Sequence, residues 1–399
     1  MSNRLTERLI FRLPDSELER RWAAARNEMN KHDIDVLIMQ ASNEYKGGYV
    51  RWFTDVAAKF DGPISVIFPR EGKMTVIASG PRDGRQVPPA DNSGLYRGVE
   101  QVLTEPYSQA DCICDDTDGE LAAAVLKKLN PAKVGWLGTG TMRFSFGSYV
   151  SKALPNTQFV NMSDSIDAIK AIKTPDEIKL IEQCAHIQDA VWEDVLQFVR
   201  PGLREYEVAL YAHYQSQLRG STDGLILTGS APLGSPSIKG HRHFQNRVLQ
   251  EGDQFTMLIE MNGPGGYYTE LGRTCVLGKA SSELLDEFDI AVEAQEHTAQ
   301  RLKPGATPRE IWDGHNAFMR SKGRPEEQRL FCHGQGYDLV ERPALRDDDH
   351  MIVAPGMSLV VHPTYVTPTV YSWVCDNYIV EQNGVRRIHQ TPQKIFELS

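Results

Sequence analysis

The most chemically suggestive stretch of this 399-residue chain is a pair of acids ten residues apart, Glu260 and Glu270. Glu260 ends the apolar run from Phe255, and the turn Gly263 to Gly266 sends the chain back through Tyr267 to Glu270, which predicts a hairpin with two inward carboxylates. A carboxylate on an apolar strand is costly unless it is paired. Arg273 is one available partner, giving an ordinary ion pair; a metal ion is the other. Three more polar groups sit on apolar strands: His333 ahead of Gly334 and Gly336, His362 at the end of the run from Gly356, and Asp376 at the start of a run to Val380. A lone strand histidine is more often a hydrogen-bonded core residue than a ligand. Five such groups on successive strands are harder to assign to packing. Carboxylate with imidazole suits Zn, Fe, Mn, Co or Ni, whereas an all-oxygen Mg or Ca site would not use two histidines.

These residues need strands to carry them and helices to cover the strands. Near the start, Leu18, Trp22, Ala23 and Met29 fall on a helical period, and Val36 to Met39 reads as a buried strand. The runs Ile64–Phe68 and Met74–Ala78 flank Arg70–Gly72 and predict a hairpin; a helix over 119–129, a strand over Lys133–Leu137 and another helix and strand follow. Residues 1–165 thus read as one α/β domain, and 166–399 as a second. The second opens on a long helix with Thr174 as N-cap and Pro175 in its first turn. A weak internal repeat lies within it: one long helix ends in Arg200-Pro201-Gly202, another in Lys303-Pro304-Gly305, and each is followed by a second helix and strands. Duplicated halves about a pseudo-twofold axis favour a pocket at their seam.

The bulk properties narrow the partners. A formal charge of -10 and a pI near 5.6 argue against nucleic acid or an anionic membrane, because a phosphate-binding face needs clustered Lys and Arg. No apolar run is long enough to span a bilayer, and Met1 to Arg12 interleaves charges with apolar residues, so a cytoplasmic protein acting on small molecules is expected. Cys112, Cys114, Cys184, Cys275, Cys332 and Cys375 include no CxxC pair and are expected to be reduced thiols.

Gly252-Asp253, Gly266-Tyr267 with Arg273-Thr274, His333-Gly334 with Gly336, Pro355-Gly356-Met357 and Asp376 to Val380 occur in an order that resembles the pita-bread metallopeptidase family. That family includes aminopeptidase P, prolidase, methionine aminopeptidase, creatinase, ectoine hydrolase and an iron-dependent dimethylsulfoniopropionate lyase. The likeness spans nearly the whole chain. It implies an α/β (α+β) protein with a creatinase-like α/β domain over 1–165 and a pita-bread catalytic domain of pseudo-twofold symmetry over 166–399. It also implies a ligand set at Glu260, Glu270, His333, His362 and Asp376, where the family's usual order is Asp, Asp, His, Glu, Glu, so four of five identities differ. The Glu260 to Glu270 spacing of ten is one short of the usual peptidase spacing.

The family's second substrate-binding histidine, seven residues after the first, is Val340 here. Its other pocket histidine matches His241, with His243 close by; both are acid/base candidates, as is Glu341, and His241 is also a substrate-binding candidate. Tyr49 and Trp52 match the place where the N-terminal domain approaches the pocket, often from the other subunit of a homodimer, and are candidate substrate-binding aromatics. The resemblance implies a divalent transition metal, one or two ions of Fe, Zn, Mn or Co, polarising a substrate carbonyl or activating water. The expected reaction is hydrolysis of a C–N bond in a small amino-acid-like or zwitterionic substrate. A lyase of the dimethylsulfoniopropionate type, an Xaa-Pro peptidase, a metal-free creatinase-like or ectoine-hydrolase-like enzyme and a non-catalytic binding module are the alternatives.

Overall fold

A computed structural model describes residues 8–58, 62–106 and 116–398. Cys112 and Cys114 lie outside the described residues, as do the first seven residues. The chain divides into two compact units, Met1–Lys170 and Ala171–Ser399. The boundary expected at 165 falls within a helix, Ser163–Ala171, that continues to the end of the first unit.

In the first unit, α1 (Asp15–Lys31) leads into β1 (Val36–Ala41), and a short helix α2 (Gly48–Thr54) precedes the hairpin β2 (Ile64–Pro69) and β3 (Met74–Ser79). Then come β4 (Gly84–Gln86), β5 (Val99–Glu105), α3 (Thr117–Leu129), β6 (Lys133–Leu137), α4 (Phe144–Ala153), β7 (Gln158–Asn161) and α5 (Ser163–Ala171). The sheet order is β4-β5-β3-β2-β1-β6-β7. Its central strands β1 and β2 are buried along their whole length. Continuous apolar runs such as Val36 to Met39 are what a strand covered on both faces requires. Ala122, Leu126, Phe146 and Val150 from α3 and α4 supply one cover.

The second unit is built twice over. Its first half holds α6 (Pro175–Phe198), α7 (Glu205–Leu218), β8 (Gly224–Pro232), β9 (Asp253–Asn262) and β10 (Tyr268–Leu277). Its second half holds α8 (Ser282–Ala299), α9 (Pro308–Ser321), β11 (Cys332–Gly334), β12 (Glu341–Ala344), β13 (Ser358–Val361), β14 (Thr364–Val366), β15 (Tyr371–Trp373), β16 (Asp376–Glu381), β17 (Gly384–Arg387) and β18 (Phe396–Leu398). The two main sheets run β18-β10-β9-β8 and β12-β11-β13-β16-β17, with β14 and β15 as a separate pair. Thr174 and Thr307 cap α6 and α9 with full capping boxes, each with proline in the first turn.

Backbone hydrogen bonds expose the repeat. Gly202 N–H donates to Leu249 O (2.9 Å) and Leu249 N–H to Leu203 O (2.8 Å); in the second half Gly305 N–H donates to Val353 O (2.9 Å) and Val353 N–H to Ala306 O (3.0 Å). Likewise Gly252 N–H reaches Leu277 O and Gly356 N–H reaches Val380 O. All four glycines hold φ between 83 and 91°, the left-handed conformation that side chains resist. Among the described residues, no helix is long and apolar enough to cross a membrane.

Candidate metal centre

Glu260 and Glu270 face one another across the β9–β10 ladder, both enclosed. Like charges directly opposed on a sheet destabilise it, so this pair needs a mediator. Burial, and then the neighbouring Glu270 carboxylate, hold the Glu260 carboxyl well above its ordinary range. Gln335, in the turn that follows His333, donates from Nε2 to Glu260 Oε1 (3.0 Å) and Glu270 Oε1 (3.1 Å).

His333 comes from β11, where its neighbour Gly334 packs against the backbone of Arg342 with no room for a side chain. His333 Nδ1 lies 2.8 Å from Gly334 O. A carbonyl only accepts, so Nδ1 carries the proton and Nε2 is left with its lone pair. That lone pair lies 3.5 Å from Glu270 Oε1. Two acceptors facing at this distance repel unless a proton or a cation is shared between them. A ligand histidine whose other nitrogen is held by a carbonyl is the usual way of fixing ring and tautomer.

His362 follows β13, and its ring stands 5.2 Å from that of His333 in an edge-on arrangement. Its imidazole is held well below its ordinary pKa by burial first and then by the neighbouring His333, which disfavours a second proton in the pair, so it is a neutral donor. The donor atoms of Glu270, His333 and His362 lie within 4.8 Å of one another, close enough to converge on one ion with small side-chain adjustments.

Two of the five expected ligands lie differently. Asp376 accepts from Arg273 Nη2 (2.6 Å), Arg387 Nη1 (3.2 Å) and Gln393 Nε2 (3.2 Å), so both of its oxygens are already engaged. Side chains alternate along a strand, so the residue before Asp376 takes the opposite face. That residue is Cys375, whose Sγ lies 3.4 Å from Glu270 Oε2. Burial, and then Glu270 and Asp376, push this thiol well above its ordinary pKa. Arg273, considered from sequence as a partner for Glu260, pairs with Asp376 instead. Glu260 is joined to Glu270 through the Gln335 amide.

The remaining candidates make other contacts. His241 and His243 are exposed in and beside a 3-10 turn, Arg242–Phe244, with His243 edge-on to Phe244. Glu341 forms an ion pair with Lys173 (2.7 Å) and accepts from Tyr337 N–H (2.9 Å), bracing the turn after His333. In the first unit, Tyr49 donates to Asp167 (2.7 Å) beneath Lys170, and Trp52 is 2% exposed against Phe53 and Arg21. Trp52 is core of that unit rather than an open aromatic wall.

Sequence reasoning missed Gln335, Cys375 and Lys239. Lys239 donates to Tyr371 OH (2.9 Å), lies 4.0 Å above the Trp373 ring centre, and its charge acts on Glu260, His362 and Cys375. The available signals were slight: a glutamine between two glycines, a cysteine next to the favoured acid, and a lysine just before His241.

The profile of metallopeptidase family M24 matches residues 179–391. The chain belongs to metallopeptidase family M24. Membership makes it a metal-dependent hydrolase, with the pita-bread architecture described above. The chain is 27% identical over 273 residues to an uncharacterized peptidase, YqhT, of Bacillus subtilis, covering 66% of this chain and 75% of that protein. It is 28% identical over 299 residues to a creatinase of Bacillus sp. (strain B-0618), covering 67% and 70%. An X-Pro aminopeptidase from Thermotoga maritima superposes with a TM-score of 0.78 at 17% identity, over 94% of this chain and 99% of that one. The dipeptidase PepE of Mycobacterium ulcerans does so with 0.77 at 20% identity, over 97% and 100%.

Proposed function

We propose that this M24 member hydrolyses a C–N bond in a small amino-acid-like or zwitterionic substrate, using a divalent transition metal held by Glu270, His333, His362 and Cys375. The observation that carries the reading is the His333 lone pair, fixed by Gly334 O and aimed at Glu270 beside the neutral His362. When bound, a divalent cation supplies Lewis-acid polarisation of a carbonyl and makes water more acidic. Mixed sulfur, nitrogen and oxygen donors favour Zn, Fe or Co over Mn.

The chain's own residues would do the rest. Glu260, across the ladder from Glu270, is the carboxyl positioned to hold and release a proton as the C–N bond breaks, in place of His241, His243 or Glu341. Lys239 carries a positive charge against an aromatic floor of Tyr371 and Trp373, a pairing suited to a substrate carboxylate. Val340, 53% exposed where peptidases of this family have a histidine, removes one polar contact to a peptide and favours a smaller substrate.

Elemental analysis of the purified protein by inductively coupled plasma mass spectrometry, with His362→Ala alongside, tests the reading. Near-stoichiometric metal that is lost in the variant supports it. Equal metal content in both proteins, or none in either, sinks it. With the metal known, a screen of N-acyl and amide derivatives of amino acids tests the reaction; an alkene product without water uptake would identify a lyase.

A further inference from the structure

We infer that the centre holds a single cation, because the amide of Gln335 occupies the position between Glu260 and Glu270 that a second ion would take. This rests on the metal reading proposed above.

The orientation of the amide follows from the hydrogen bonds around it. Glu270 N–H is a backbone donor and lies 2.6 Å from Asn377 Oδ1, so that atom is the oxygen of Asn377 and its other end is the NH2. Asn377 Nδ2 donates to Gln335 Oε1 (2.8 Å), which fixes Gln335 in turn, with its NH2 towards the acids. There Nε2 meets Glu260 Oε1 at 3.0 Å, Glu270 Oε1 at 3.1 Å and Leu339 O at 3.2 Å, three acceptors for two hydrogens. Flipping either amide would set oxygen against oxygen or nitrogen against a backbone N–H. Gln335 is fully enclosed, so no solvent competes for this arrangement.

A cation bridging the two acids would sit about 2.0–2.2 Å from an oxygen of each. An NH2 within hydrogen-bond reach of both oxygens already fills that gap, and an amide nitrogen, its lone pair delocalised into the carbonyl, has nothing to offer a metal. The amide also does part of the electrostatic task of an ion, placing positive hydrogens between opposed carboxyls. Glu270 Oε1 is shared between Gln335 and His333 Nε2, which lies 3.5 Å from it, while Oε2 faces Cys375 Sγ at 3.4 Å and takes no bond from Gln335, so the side of Glu270 turned to His333 and Cys375 is left to one ion.

The test is a titration of chelator-stripped protein with Co2+, read by equilibrium dialysis and by the sulfur-to-cobalt charge-transfer band in the near ultraviolet. The expected result is one equivalent bound per chain, with the band saturating at that equivalent and lost in Cys375→Ser. Gln335→Glu, which replaces the NH2 with a third carboxylate oxygen, is expected to raise the capacity to two, and Gln335→Ala, which vacates the gap, to do the same. Two equivalents in the unaltered protein would overturn the single-ion inference while leaving the metal reading intact. No bound cobalt would overturn both. One equivalent in both Gln335 variants, with circular dichroism showing them folded, would overturn the role given to the amide.

Discussion

Removing the Asp376 carboxylate would leave the Arg273 guanidinium, wholly enclosed, with backbone carbonyls of Gly272, Cys375, Thr391 and Pro392 as its remaining partners. A buried charge stranded in this way costs about 3–5 kcal/mol, so Asp376→Ala is expected to lower the unfolding free energy by that amount in a urea titration. The folded fraction should still take up metal, whereas Cys375→Ala should fold and bind it more weakly. The reverse pattern would return the ligand role to Asp376. Lys239→Met tests the substrate side: a hydrogen bond to a charged group contributes about 1.5–3 kcal/mol, so KM for a carboxylate substrate should rise roughly 10- to 100-fold. An amidated analogue should be affected far less. Glu260→Gln keeps the shape and removes the proton, and a kcat loss of about 100- to 10,000-fold is expected if this carboxyl takes part in proton transfer.

At the scale of elements, α8 and α9 hold the histidine-bearing strands in place. Gln295 of α8 donates to Val361 O (2.8 Å), just before His362, while His362 N–H donates to Phe331 O (2.8 Å). His315 of α9 stacks on Phe331 at 3.8 Å between ring centres and meets Thr298 of α8 at 3.0 Å. Burial, with a smaller contribution from the charge of His297, pushes the His315 imidazole down to about 3 from its ordinary 6.5. The folded state therefore keeps it neutral where the unfolded chain protonates it. Above 6.5 the group adds no pH dependence; as pH falls from 6.5 towards 3 the unfolded state binds the extra proton and stability drops, by up to about 1.4 kcal/mol per pH unit. His315→Gln should flatten that part of the stability curve, measured by denaturant titration at several pH values. Helices with strong local signals were legible in the sequence: Thr174 with Pro175 marks the start of α6, and the structure adds Glu177 there and the matching Thr307, Pro308 and Glu310 at α9, all contacts within one turn. The ligand strands were legible only to within a residue. Asp376 and Cys375 are neighbours in sequence but face opposite ways, and which one faces Glu270 is decided by the bridge between Gly272 and Cys375, a contact about a hundred residues long in sequence. Gln335 was opaque for a similar reason, since its function depends on Asn377, Glu260 and Glu270 together.

For the whole molecule, a ligand that binds the folded state alone adds stability through mass action. At a free metal concentration about a thousand times Kd that amounts to roughly 4 kcal/mol, so exhaustive chelation should lower the Tm of the second unit's transition in calorimetry and readdition should restore it. An unchanged transition would argue that the acids and histidines hold themselves together unaided. The matched hydrogen bonds after Gly202 and Gly305, and those from Gly252 and Gly356, are made by main-chain atoms alone. Side-chain exchange at the seam leaves them untouched. Such a frame is evolvable: its scaffold is specified by where the backbone turns, so an acid can become a longer acid, an imidazole or a thiol without the fold having to be reinvented. New chemistry in such a protein begins at the strand ends.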